Sequence, residues 1–126
     1  LFSINKYRIF DIPEVNQLIS KYLESYLFNG SYSVTTLNKS TAEEYDLVIS
    51  NYAFSELPSH LQKMYIEKVL SNAKRGYLTM NSGRGQERTT GKLSIDELRD
   101  LLPSFETYEE KPQTGSNNYI IVWDHS

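Results

Sequence analysis

Apolar and polar positions alternate in blocks along this chain of 126 residues. The apolar run over 7–12 predicts a strand, and Pro13 suits the first turn of a helix because its missing N–H needs no partner there. The next apolar residues recur at helical spacing and predict a stripe facing the core, which ends at Asn29-Gly30 as a left-handed cap. The stripe consists of Val15, Leu18, Ile19, Tyr22, Leu23, Tyr26 and Leu27. A second, β-branched strand is predicted over 32–37.

The centre of the chain carries the short run Leu47-Val48-Ile49. Such a run predicts a strand buried on both faces in the middle of a parallel sheet. The pattern Ser59-x-x-Gln62 predicts a capping box, although Pro58 leaves the exact start open. The helix that follows is predicted to end at Lys74-Arg75 and Gly76. A fourth strand over 77–81 and a polar loop over 82–92 complete this part.

A second capping box, Ser94 to Glu97, begins a helix that runs to Pro103. Two further strands, over 105–111 and 118–124, are predicted to pair as an antiparallel hairpin. Because strands alternate with helices, we predict a single α/β domain over 1–126, with a mostly parallel Rossmann-like sheet and helices on both faces.

Composition excludes several classes of function. The net charge is -3, which does not favour binding to a polyanion. Cysteine is absent, so disulfides and thiolate chemistry are excluded. No apolar run is long enough to cross a membrane, and no His or Asp cluster has the spacing of metal ligands. Without a signal peptide, the expected location is cytoplasmic.

Polar residues follow each predicted parallel strand, where ligands bind in open α/β sheets. Asp11 ends the first strand, and its carboxylate can accept hydrogen bonds from both hydroxyls of a ribose or cap the helix that begins at Pro13. Asn38 follows the second strand as a binding residue or a turn residue. Ser50 and Asn51 follow the third strand as binding residues or an ordinary polar strand end.

Two candidates for proton transfer come next. Glu56 and His60 can each accept a proton from an attacking hydroxyl, or Glu56 caps the next helix while His60 is a solvated residue of its first turn. The loop over 82–92 is a surface loop or a cover for a substrate touched by Asn81, Arg84 and Arg88. Its glycines match neither a phosphate loop nor a dinucleotide fingerprint.

The segment over 45–57, YDLVISNYAFSEL, resembles the central strand and following loop of class I S-adenosylmethionine-dependent methyltransferases. It is most similar to the sugar O-methyltransferase branch of this family. The resemblance implies S-adenosylmethionine as cofactor and a sugar or other small molecule as acceptor. It implies that Asp11 holds the ribose and that Ile12 also belongs to the cofactor site. Asn38 would lie on the adenine side, and Ser50 with Asn51 on the sulfonium side. Glu56 and His60 would then serve the acceptor hydroxyl.

The family's first strand and its glycine-rich turn have no counterpart in this sequence. Only Leu1 to Lys6 precede the Asp11 strand, and these residues include no glycine. We therefore expect poor cofactor binding by the isolated chain and unpaired sheet edges that favour a homodimer. The alternative to a methyltransferase is a non-catalytic, methyltransferase-like module that self-associates. A nucleotide-binding oxidoreductase is a less favoured interpretation, because the glycines of the dinucleotide-binding fingerprint are absent.

Overall fold

A computed structural model describes residues 4–25, 30–39, 43–81 and 91–126. The chain divides into two compact units, Leu1–Thr41 (unit 1) and Ala42–Ser126 (unit 2), and each has its own sheet. None of the helices in the described ranges is long and apolar enough to cross a membrane.

Unit 1 is a strand–helix–strand unit. Strand β1 (Lys6–Phe10) pairs in parallel with β2 (Ser31–Thr35), and helix α1 (Pro13–Glu24) connects them. Pro13 occupies the start of α1, as predicted. A short 3-10 helix, Leu37–Lys39, follows β2.

The predicted apolar stripe of α1 is only partly buried. Leu18 is 68% exposed and Tyr22 is 61% exposed, whereas Val15, Ile19 and Leu23 are half-buried. The buried residue of α1 is a polar one, Asn16, because its side chain bonds to the strand ends described below. The helix also ends earlier than predicted, at Glu24, and Gly30 has its positive φ of 119° just before β2 instead.

Unit 2 contains a four-stranded sheet in the order β3-β4-β6-β5. Strands β3 and β4 are parallel, and β6 runs antiparallel to both β4 and β5, which confirms the predicted hairpin. The strands are β3 (Tyr45–Asn51), β4 (Ala73–Met80), β5 (Glu106–Glu109) and β6 (Tyr119–Asp124). The helices are α2 (Ala53–Glu56), α3 (Ser59–Lys68) and α4 (Ile95–Leu101).

The core of unit 2 lies on one face of this sheet. Leu78 of β4 and Ile121 of β6 face each other across the ladder, and both are completely buried. Ile66 of α3 and Leu98 of α4 belong to the same cluster, and Val48 packs against it. The described helices α3 and α4 therefore cover the face that contains Leu78 and Ile121.

The expectation that Leu47-Val48-Ile49 is buried on both faces is wrong. Leu47 is 52% exposed and Ile49 is 60% exposed, while Val48 between them points to the core. Alternate side chains of a strand point to opposite faces. Tyr77, which pairs with Ile49, is also 40% exposed, so the face opposite the core presents apolar side chains.

The residues predicted to end a helix, Lys74, Arg75 and Gly76, instead lie in β4. Helix α3 ends at Lys68, and a 3-10 turn, Leu70–Asn72, leads directly into the strand. The pairing of β4 with β3 on one side and with β6 on the other determines their conformation. These long-range hydrogen bonds outweigh the local sequence pattern that is typical of a helix end.

Of the two predicted capping boxes, one is confirmed. The Ser94 hydroxyl accepts from the backbone N–H of Glu97, and the Glu97 carboxylate accepts from the backbone N–H of Ser94. The other is wrong, because Pro58 precedes α3 and no side chain caps it. Gln62 instead joins two segments inside the core, donating to the Phe54 carbonyl at 3.1 Å and accepting from the Leu93 N–H at 2.8 Å.

Candidate functional site

Asn16 ties together the carboxyl ends of the two strands in unit 1. Its Nδ2 donates to the carbonyl of Asp11 and to that of Thr35, each at 3.0 Å. The side chain is buried, with 6% exposure. The first turn of α1 therefore fixes the strand end at which Asp11 was predicted to bind a ribose.

The Asp11 carboxylate is exposed just after β1. Its Oδ1 accepts from the backbone N–H of Ile12 at 2.8 Å. Ile12 is the residue before α1, and no side chain caps this helix. Asp11 is therefore oriented by its neighbour without being the helix cap.

The other predicted cofactor residues of unit 1 are also exposed. Ile12 is 59% exposed and presents an apolar surface next to the carboxylate. Asn38 lies in the 3-10 helix that follows β2. The exposure of all three side chains leaves them accessible to a ligand.

A tight turn follows β3 in unit 2, and Tyr52 is its central residue. Its backbone is left-handed, with φ 65° and ψ -29°, which is uncommon for a bulky residue. Ser50 accepts from the N–H of Phe54 at 3.0 Å, so its hydroxyl supports the start of α2. Asn51 is exposed, and its Oδ1 accepts from the hydroxyl of Thr79 at 3.3 Å.

Two predicted site residues, one at the end of α2 and one just after β4, are in direct contact. The Nδ2 of Asn81, just after β4, donates to Oε1 of Glu56 at 2.8 Å. Lys92 forms an ion pair with the other oxygen, with Nζ 3.6 Å from Oε2. The side chain of Glu56 remains 56% exposed, so its carboxylate is held in place but reachable from solvent. Glu56 ends α2 and does not cap α3.

A second carboxylate, Glu110, lies in the connection between β5 and β6. It accepts hydrogen bonds from the Tyr52 hydroxyl, from the Thr114 N–H at 2.7 Å and from Nδ2 of Asn118 at 3.3 Å. The Thr114 hydroxyl lies 3.0 Å from each carboxylate oxygen. We call Tyr52, Glu110, Thr114 and Asn118 the Glu110 cluster. It joins the turn after β3 to the β5–β6 connection.

These hydrogen bonds change the acidity of both partners. The hydrogen bond from Tyr52, together with the Thr114 N–H, lowers the pKa of Glu110 from 4.5 to about 2. The same bond to the Glu110 carboxylate raises the pKa of Tyr52 above its ordinary value of 10.0. At neutral pH the pair is therefore a carboxylate and a neutral phenol, and Tyr52 is unsuited to act as a base.

Three predicted site residues remain: His60, Arg84 and Arg88. His60 is exposed in the first turn of α3, and no hydrogen bond among the described residues links it to Glu56. Arg84 and Arg88 lie outside the described residues. His60, Arg84 and Arg88 thus stay predictions.

Sequence reasoning missed Lys92, Glu110, Thr114 and Asn118. Tyr52 and Glu110 are 58 positions apart, and no local pattern indicates that they meet. The available signal was weak: an acid at the end of a predicted strand, before a polar connection. The antiparallel hairpin brings that connection to the end of β3, and this pairing is a property of the whole sheet.

Comparisons with known proteins support the fold. No protein-family model and no curated protein matches this sequence. Three matching solved structures are described as a pericyclic reaction enzyme, a LepI variant in complex with SAH and a substrate analogue, and LepI in complex with SAM. Each aligns with 93% of this chain at a TM-score of 0.57 and 10–11% identity. The alignment covers 35% of the other chain, so this chain spans about a third of the length of these proteins. The likeness confirms the predicted α/β fold.

Proposed function

We propose that this chain is part of an S-adenosylmethionine-dependent methyltransferase that acts on a hydroxyl of a sugar or similar small molecule. The observation that carries the proposal is the contact between Glu56 and Asn81, which creates an exposed, oriented carboxylate beyond the carboxyl ends of β3 and β4. Ligands of open α/β sheets bind at such strand ends. LepI, with the same fold, has been solved with SAM and with SAH.

The residues at the end of β1 fit the cofactor's ribose and base. The Asp11 carboxylate is exposed and held by the Ile12 N–H, which supports a role in accepting hydrogen bonds from the two ribose hydroxyls. The exposed side chain of Ile12 offers an apolar surface to a flat base. Asn38, in the same unit, would contact the base. Ser50 and Asn51 of unit 2 stay predictions for the sulfonium side.

In this proposal Glu56 orients the acceptor and takes its proton. The bound cofactor supplies a methyl group on a positively charged sulfonium. Lys92 and Asn81 hold the carboxylate of Glu56, and Oε2 accepts the proton of the acceptor hydroxyl as its oxygen attacks. Most of the acceleration comes from placing the hydroxyl in line with the methyl group. His60, Arg84 and Arg88 are the further candidates for contacts with the acceptor.

A transfer assay with S-adenosylmethionine labelled in its methyl group tests this role. The full chain is incubated with a set of monosaccharides, and labelled product is separated from the cofactor. We expect Glu56→Gln to lower the rate by about 10²-fold or more, in the range typical of a lost general base. Glu67→Gln, an exposed change on α3, is the matched control and should have no effect. Equal rates for wild type and Glu56→Gln would contradict the proposed role.

The second candidate function is self-association of a non-catalytic module. It is favoured by the exposed apolar side chains Leu47, Ile49 and Tyr77 on one face of the sheet of unit 2. In the described part of unit 2, β3 pairs only with β4 and forms one edge of the sheet. Apolar patches next to an open strand edge favour association.

Sedimentation velocity distinguishes this candidate. We expect a homodimer that Leu47→Lys with Ile49→Lys converts to a monomer, because two charges would be brought into the contact. Leu101→Lys is the control, since Leu101 is an exposed leucine of α4. A wild-type chain that stays monomeric at high concentration would exclude self-association.

A further inference from the structure

The left-handed residue Tyr52 is fixed at every polar group it has. Its N–H donates to the Thr79 carbonyl at 3.0 Å, and its carbonyl accepts from the Ser55 hydroxyl at 2.7 Å and from the Glu56 N–H at 3.2 Å. Its hydroxyl donates to Glu110. A bulky residue keeps such a conformation only when its surroundings determine it, and this occurs most often at functional sites.

The contacts of Tyr52 lead directly to Glu56. Ser55, which donates to the Tyr52 carbonyl, accepts from the backbone N–H of Asn81 at 3.0 Å. Asn81 in turn donates from its side chain to the Glu56 carboxylate. The network therefore runs from Tyr52 through Ser55 and Asn81 to the carboxylate that we assign to the acceptor.

At the other end of the network, Glu110 binds the Tyr52 hydroxyl from a different segment of the chain, the β5–β6 connection. The carboxylate is buried, with 6% exposure, and the backbone and hydroxyl of Thr114 and the amide of Asn118 orient it. A carboxylate with several donors has one arrangement that satisfies them all. The Tyr52 ring is thus held by the β5–β6 connection.

We propose that Glu110 is a positioning residue that acts through Tyr52 on Glu56. The β5–β6 connection then determines the geometry of the acceptor side of the site, although its residues lie far from Glu56 in sequence. This inference rests on the role of Glu56 in the proposed function. It predicts that loss of the Tyr52–Glu110 bond weakens the contact between Asn81 and Glu56.

The side-chain amide resonances of Asn81 in a ¹⁵N-labelled full chain report that contact. Glu56→Ala gives the reference position for the broken contact. We expect Tyr52→Phe and Glu110→Gln to shift these resonances most of the way towards the reference. Tyr108→Phe is the matched control, because the Tyr108 hydroxyl also donates to a glutamate, Glu106, but on the exposed strand β5. That variant should leave the Asn81 amide unchanged.

If Tyr52→Phe does not fold, Thr114→Val is the second variant, since the Thr114 hydroxyl lies against both Tyr52 and Glu110. Unshifted Asn81 resonances in folded variants of the Glu110 cluster would overturn the proposal. So would an equal shift in Tyr108→Phe, which would mean a general effect of losing a tyrosine hydroxyl. The readout needs no cofactor, so a failed transfer assay together with shifted Asn81 resonances would count only against the proposed function.

Discussion

Asn16 holds the strand ends of unit 1 with two hydrogen bonds from one amide nitrogen. Asn16→Asp keeps the shape of the side chain but replaces both donors with a buried charge facing two carbonyl oxygens. We expect the free energy of local unfolding of β1 and β2 to fall by about 1–3 kcal/mol, because buried groups left without hydrogen-bond partners cost about that much. Amide hydrogen exchange of the two strands measures it.

Gln17→Glu is the control for this change, because Gln17 is the exposed neighbour of Asn16 on the same helix. Its substitution makes the same amide-to-carboxylate change in solvent. Unchanged exchange in Asn16→Asp would show that the two hydrogen bonds do not hold the strand ends.

Glu110 makes the stability of unit 2 depend on pH, with a loss at low pH. The pKa of Glu110 is lowered from 4.5 to about 2 in the folded protein. The stabilisation that its carboxylate provides is therefore complete above the pKa of the unfolded chain, and it is lost as the pH falls from about 4.5 towards 2. Wild type should therefore lose stability between about pH 5 and pH 3, and Glu110→Gln should lose less over that range. Urea unfolding followed by circular dichroism at several pH values measures this. Parallel pH profiles for the two proteins would contradict the assignment.

Residues near one another in sequence were the predictable part of the site. Ser50, Asn51 and Glu56 follow one apolar run, and the rule that ligands bind beyond the ends of parallel strands predicted them as candidate site residues. Asn81 was predicted as a substrate contact beside the loop that follows β4, and it contacts Glu56. Glu110 was not predictable in this way, because its partner Tyr52 follows β3 and lies 58 positions away in the sequence.

At the scale of elements, the close packing of β4 against β6 depends on Gly76. A Cβ added there would lie 2.2 Å from Cη2 and Cζ2 of Trp123, closer than atoms can approach. Gly76→Ala should reduce the free energy of unfolding by about 1–3 kcal/mol, as is usual for overpacking. Urea unfolding followed by circular dichroism provides the value.

Trp123→Phe offers a matched background for this test, because phenylalanine lacks Cη2 and Cζ2, two of the three indole atoms within 2.4 Å of the added Cβ. In that background Gly76→Ala should reduce the free energy of unfolding by less. The difference between the two reductions measures the clash directly. Equal costs in both backgrounds would show that the indole ring is not the cause.

Gly76 also shows where local pattern reading fails. After an apolar helical stripe, Lys74-Arg75-Gly76 is a typical helix end, yet all three residues lie in a strand. The register of β4 with its two neighbours determines this, and no window of a few residues contains that information. By contrast, the Ser94 capping box was predicted correctly because both of its partners lie within one turn.

At the scale of the whole molecule, the predicted order of strands and helices was correct, while the burial of individual strands was not. Order follows from the sequence of apolar runs along the chain. Burial depends on what packs on each face, and Leu47 and Ile49 lie on the face opposite the core. The solved structures that match are about three times as long as this chain.

Calorimetric titration of the full chain with S-adenosylhomocysteine tests the central claim, cofactor binding at the strand ends, most directly. We predict saturable binding, because the Asp11 carboxylate is exposed at the end of β1 and oriented by the Ile12 N–H. Asp11→Asn should weaken it about tenfold or more, since a hydrogen bond to a charged group contributes about 1.5–3 kcal/mol. Glu14→Gln, an exposed acid three residues away, should bind like wild type. No binding by the folded chain, or equal binding by Asp11→Asn, would contradict the claim.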